Sequence, residues 1–122
     1  MPISRARSYS VAGLDLRVGR RSGALDGLLA GMGAREAVLI TAWNPASRRM
    51  PADWNIRMMA ALRHRLGTTP ALPAQGGGRS RQEDHLLVVG DRRRLAKLAR
   101  LFGQAAMVGL KRGQDVRLLP LL

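Results

Sequence analysis

The 122-residue chain has no cysteine. That excludes a disulfide framework, thiolate metal sites and a cysteine nucleophile, and it fits a cytoplasmic location. The only aromatics are Tyr9, Trp43, Trp54 and Phe102, too few for a platform on which bases stack. The core must therefore come from Leu, Val, Ala and Met. Histidine is limited to His64 and His85. Neither has a second histidine or a carboxylate at ligand spacing, so no metal site is expected. No apolar run reaches about 18 residues, so no membrane span is expected. The opening MPISRARSYS lacks the apolar segment of a signal peptide. Arg20-Arg21 ahead of SGALDGLLAGMGA has a faint twin-arginine look, but Asp26 and the leucine spacing read as an ordinary helix.

Acid is also scarce. Eight Asp and Glu stand against 21 Lys and Arg, for a net charge of +13. All the cations except Lys97 and Lys111 are arginine. Such a surplus attracts phosphate. Abundant Arg, Ala and Gly with little Lys is also what a GC-rich coding sequence produces, and the cations are spread along the chain. The expectation is weak, non-specific, salt-sensitive binding of nucleic acid.

What is present is a 46% hydrophobic composition over a length that suits one domain, residues 1–122. Residues 8–18 read as a strand or hairpin turning at Ala12-Gly13. Ser22 opens a helix to residue 32, with Leu25, Leu28, Leu29 and Met32 on one face. Residues 36–43, EAVLITAW, are a continuous apolar run, the pattern of a strand buried on both faces. Val38 and Ile40 should face one way, Leu39 and Thr41 the other. Pro51 and Asp53 open a helix over 53–66, and Gly67 ends it. Residues 67–82 are rich in Gly and Pro and read as a flexible loop. HLLVVG, 85–90, is a second buried strand. Asp91 caps a helix over 92–102, and strands follow at 104–109 and 116–119. The order is β-α-β-α-β-α-β-β, an α/β fold with a mixed sheet flanked by helices. Strands 85–90 and 104–109 should form a parallel crossover around the helix between them.

No cofactor motif is present. Gly76-Gly77-Gly78 leads into Arg, Ser and a strand, whereas a phosphate loop leads into a helix, so a linker is the better reading. Ser47 has no elbow motif and no partner base and reads as a turn residue. The polar residues that draw interest sit at strand and helix ends: Thr41, Asn44, Asn55, Glu83 and Gln104. Asn44 ends its strand, whereas Glu83 and Gln104 precede theirs. All three share one edge only if strand 36–43 runs antiparallel to the other two. Amides donate and accept together, which suits a base, an amide or a sugar edge. Both asparagines have an equally good use in holding their turn. Trp43 and Trp54 should wall that turn.

ITAWNPASRRMPADWNIRMMAAL, then Glu83, then LLVVG, then LARLFGQAAMVG, resembles the bacterial domain of unknown function 3293 family. The family pattern has Thr-Ala-Trp-Asn-Pro, an Asn opening the next helix, a Trp-Pro-Glu-type segment and Phe-Gly-Gln-x-Ala. Here Arg81-Gln82-Glu83 stands where Trp-Pro-Glu is expected. The resemblance implies a compact protein and points to the same five residues, but to no activity. Two functions compete. One is a small polar ligand, such as a nucleotide or related metabolite, bound at the Asn44/Gln104 edge by Thr41, Asn44, Asn55 and Gln104. If that protein is an enzyme, Glu83 is its one evident acid–base group. The other is an accessory protein that binds nucleic acid or a protein partner through arginine-rich faces.

Overall fold

A computed structural model describes residues 8–77 and 82–121. The chain order is β1 (Ser8–Val11), β2 (Leu14–Arg17), α1 (Gly23–Gly31), β3 (Glu36–Ile40), α2 (Ala52–Leu66), β4 (Ala71–Gly76), β5 (Glu83–Val88), α3 (Arg92–Leu101), β6 (Ala106–Lys111) and β7 (Arg117–Pro120). A short 3-10 turn, Pro45–Ser47, follows β3.

The strands make one sheet in the order β2-β1-β4-β5-β3-β6-β7. Every neighbouring pair is antiparallel. This corrects the α/β expectation of a mixed sheet with order β-α-β-α-β-α-β-β. β5 and β6 do run in the same direction, but β3 lies between them and opposes both. The parallel crossover therefore spans an intervening strand, and no parallel ladder forms.

The second correction concerns residues 67–82. Their Gly-Pro composition reads as loop, yet residues 71–76 are an internal strand, paired with β1 on one side and β5 on the other. Pro73 is tolerated because β1 reaches only from Ala74 to Gly76, so Pro73 has a ladder neighbour on the β5 side alone. Residues 78–81, including Gly78 and Arg81, lie outside the described residues.

The sheet curls until its two edges touch. Val18, after β2, forms a parallel bridge with Val116, just before β7. The Gly19 N–H donates to the Val116 carbonyl at 2.8 Å, and the Val116 N–H donates to Arg20 at 2.9 Å. α1 sits inside this curl. Its Leu25 and Leu29 are fully buried among Tyr9, Leu16, Leu39, Leu87 and Leu110. Ser22 starts α1 as the sequence predicts, its hydroxyl accepting from the Leu25 N–H at 3.1 Å. α2 and α3 cover the outer face, where Met59, Leu62, Leu66, Leu95 and Ala99 pack on Val38, Ile40, Leu86 and Val88.

β3 serves both cores. Ala37 and Leu39 point into the curl, and Val38 and Ile40 point outward under α2 and α3. Thr41 does not continue this alternation. The strand ends at Ile40, and the Thr41 hydroxyl lies 3.6 Å from Met59 Sδ on the α2 side.

Ile40 is 1% exposed, so Ile40→Asp places an unpaired carboxylate between the sheet and α2. The expected loss exceeds about 4 kcal/mol, a large part of a typical domain's stability. Circular dichroism should show an unfolded or barely folded variant at 25 °C. A melt like that of the parent chain would contradict the central position of β3.

Candidate functional site

Because β3 opposes β5 and β6, its C-terminal end lies beside the N-terminal ends of both. Among the described residues, the buried polar side chains are Thr41, Asn55, His85 and Gln104. All four are at this end of the sheet. Asn44 and Glu83, each half-buried, join them.

Asn44 stands in the left-handed region, with φ 44° and ψ 68°, where asparagine is among the few residues tolerated besides glycine. Its backbone N–H donates to Asn55 Oδ1 at 2.9 Å, and Asn55 Nδ2 donates back to Asn44 Oδ1 at 2.9 Å. The same Oδ1 accepts from the Met50 N–H at 2.9 Å, and Asn55 Nδ2 also reaches the Met50 carbonyl at 3.4 Å. The two amides thus clamp both ends of the 44–50 loop to the first turn of α2. Asn55 is 2% exposed; its amide is spent inside the protein. Asn44 Nδ2 has one further partner, Glu83 Oε2 at 2.7 Å. That distance is short for an amide donor and typical of a charged acceptor.

Thr41 and Gln104 work in the same way. The Thr41 hydroxyl donates to the Asp84 carbonyl and accepts from the Trp43 N–H at 3.0 Å, which ties the exit of β3 to the start of β5. Gln104 Nε2 donates to the Trp43 carbonyl at 3.1 Å and lies 3.4 Å from the Phe102 carbonyl. The loop is also held through its backbone. The Ala46 N–H donates to the Gly103 carbonyl at 2.7 Å. A Cβ on Gly103 would come within 2.7 Å of Pro45 Cβ, and Gly103 has φ +71°, so only glycine fits there. Trp43 packs on the outer core, and Trp54 is half-buried in the first turn of α2.

The structure thus brings all five residues singled out from the sequence to one end of the sheet. Thr41, Asn44, Asn55 and Gln104 chiefly bond to the protein itself, and Glu83 is a half-buried carboxylate that accepts from Asn44. His85 was not among the five. Its Nδ1 lies 2.9 Å from the Glu83 carbonyl. A carbonyl only accepts, so Nδ1 carries the proton. The ring meets Tyr9 edge-on at 5.3 Å and 75°. Both rings fit only because residue 76 is glycine: a Cβ there would come within 2.5 Å of Tyr9 and 2.9 Å of His85. Nothing local in the sequence marks this, since Tyr9, Gly76 and His85 meet only through strand register. Among the described residues no group of His, Asp and Glu could hold a metal ion. A groove of about 440 Å³ on β1, β4 and β5, edged by Ser10, Arg63, Gln75 and Asp84, contains none of the five residues.

Fold and cluster together define a small protein with helices on both faces of a curled antiparallel sheet and its buried polar side chains gathered at one end. The family model described as Protein of unknown function (DUF3293) matches residues 40–107, more than half of the chain, and the chain belongs to that family. No curated protein and no solved structure matches it. The matched span runs from the end of β3 to the start of β6 and holds all five residues. No helix among the described residues is long and apolar enough to cross a membrane.

Two tests address the cluster. Asn55→Ala strands the Asn44 N–H and removes one partner of Asn44 Oδ1, and should cost about 2–3 kcal/mol in urea unfolding. Asn44→Ala should cost about 1 kcal/mol more than Asn44→Gly, because alanine resists the left-handed backbone. Unchanged stability in Asn55→Ala would show that the clamp does not hold the loop.

The second test is pH. Burial lowers the pKa of His85 below its ordinary 6.5, against weaker opposing effects of the Glu83 carbonyl and the Asp84 charge. The unfolded chain therefore takes up a proton at a pH where the folded chain resists it. The contribution is complete above pH 6.5 and is lost as the pH falls below that value. Melting temperature should be flat above about pH 7 and drop toward pH 5, and His85→Asn should flatten that drop. Equal slopes for the two proteins would remove His85 as the cause.

Proposed function

We propose that the protein binds a small polar ligand, such as a nucleotide or related metabolite, at the Asn44/Gln104 end of the sheet, with Glu83 as the group that meets it. The observation that carries this reading is the gathering of the buried polar side chains around one half-buried carboxylate. Glu83 is the one acid among the five, beside a loop clamped by the amides of Asn44 and Asn55. Glu83 Oε2 accepts from Asn44, and a carboxylate has about four acceptor positions in all. Its natural complement is a ligand edge bearing N–H or O–H donors, as on a nucleobase, an amide or a sugar diol. Asn44, Asn55, Thr41 and Gln104 then act by fixing the carboxylate and the Trp43–Asn44 backbone, and so preorganise the site.

A thermal-shift screen of nucleosides, nucleotides, sugars and amino acids tests this. A ligand at ten times its Kd should stabilise the fold by about 1.4 kcal/mol, a rise of several degrees. Glu83→Gln should abolish that rise and leave the unliganded melt within about 2 °C of the parent. A ligand that stabilises both proteins equally would place binding elsewhere, and the 440 Å³ groove beside Arg63 and Asp84 would then be the next site to probe.

A further inference from the structure

The positive charge is not spread evenly over the folded molecule. Around α1 and the sheet edges, arginines alternate with Asp15, Asp26, Glu36 and Asp115. An ion pair is there as well, Arg21 to Asp26 at 3.3 Å. The outer face is different. α2 and α3 expose Arg57, Arg63, Arg65, Arg93, Arg94 and Lys97, while their acids are Asp53 in the first turn of α2 and Asp91 at the cap of α3.

Topology concentrates these cations. α2 leaves the end of β3, and α3 leaves the end of β5, which runs the other way. The two helices are therefore antiparallel on one face, and the C-terminal end of α2 meets the N-terminal start of α3. Arg94 Nη1 reaches Thr69 Oγ1, just past α2, at 3.3 Å. Arg65 is thereby brought to the same corner as Arg93 and Arg94, whereas Arg63, on the opposite flank of α2, lines the groove with Ser10, Gln75 and Asp84. At the end of α2, cations suit the helix dipole and need no further reason. At the start of α3 they oppose it. Arg92, Arg93 and Arg94 crowd the positive end of that helix, with Asp91 as the single acid beside them.

We propose that this α2–α3 face binds the phosphate backbone of double-stranded nucleic acid without regard to sequence. Charge complementarity selects a polyanion, and arginine forks match phosphate oxygens. Along α2, Arg57 and Arg65 are about 12 Å apart at 1.5 Å per residue, the scale of a duplex groove. The exposed large apolar residues among those described are Ile56 and Leu101. Neither is aromatic, so the face lacks the stacking surface that single strands use. Two isolated aliphatic side chains also fall short of the apolar stripe that inserts into a membrane.

Fluorescence anisotropy with a labelled 20-base-pair duplex of arbitrary sequence tests the proposal on the full chain. The expected result is binding at about 50 mM salt that weakens steeply as salt rises. Arg65→Ser/Arg93→Glu/Lys97→Glu should weaken it at least tenfold and lower the salt slope by about two. The slope falls because phosphate contacts are lost. The same charge change around α1 and the far sheet edge, Arg17→Glu/Arg35→Ser/Arg112→Glu, should weaken binding less than threefold. Arg93→Glu alone should melt no lower than the parent, since it relieves the start of α3. Glu83→Gln should bind duplex normally, which separates this surface from the small-ligand site. Equal losses in the two triple variants would overturn the proposal, leaving only net charge. So would tighter binding of a single strand, or of phosphatidylserine vesicles, than of the duplex.

Discussion

The architecture depends on one strand. β3 is buried on both faces from Ala37 to Ile40 and is antiparallel to each neighbour. Both cores rest on it: its odd-numbered residues close the curl around α1, and its even-numbered residues support α2 and α3. Its direction also decides where the chain emerges. With β3 opposed to β5 and β6, the exit of one strand and the starts of the other two share an end, and α2 and α3 have to run antiparallel on the outer face. The polar cluster and the basic corner are both consequences, one at each end of the same helical layer.

Polar groups collect at the end of β3 because the middle of the sheet offers them nothing. There, apolar side chains cover both faces and the ladders consume the backbone. Beyond Ile40 the ladder stops while burial continues, so backbone groups need new partners. Thr41, Asn44, Asn55 and Gln104 provide them. The reciprocal bonds between Asn44 and Asn55 let the chain turn through a left-handed residue, a conformation that would otherwise raise the energy of the loop. A network of this kind stabilises only when its members are satisfied together. That accounts for the two asparagines, eleven residues apart in sequence, sharing one turn. Glu83 is the one charged side chain in this group.

Local pattern fixed much of the fold. Ser22 and Asp91 cap their helices as side chains of that type do, and the four-residue spacing from Trp54 to Leu66 marks α2. The unbroken apolar run after Glu36 identifies a strand covered on both sides. The candidate site was legible as well, since Asn44, Asn55, Glu83 and Gln104 all stand where an element begins or ends, and such positions gather wherever strand directions bring those ends together. Their hydrogen-bond partners were not legible: whether an amide faces a ligand or its own backbone depends on angstroms that residue types do not carry.

The sequence by itself determined the elements whose signals are local, namely caps, helical stripes and apolar runs, because these arise from contacts within a few residues. Only the tertiary structure decided the rest. Residues 71–76 look like loop, yet they form a strand because β1 and β5 supply ladder partners on both sides, and pairing outweighs weak intrinsic preference. Short connections suggested parallel neighbours, but β3 inserted between β5 and β6 and made every pair antiparallel. Gly76 looks like part of a linker, and its lack of a side chain makes room for Tyr9 and His85. Each of these outcomes rests on contacts between residues far apart in the chain, and their energies appear only once register and curl are set.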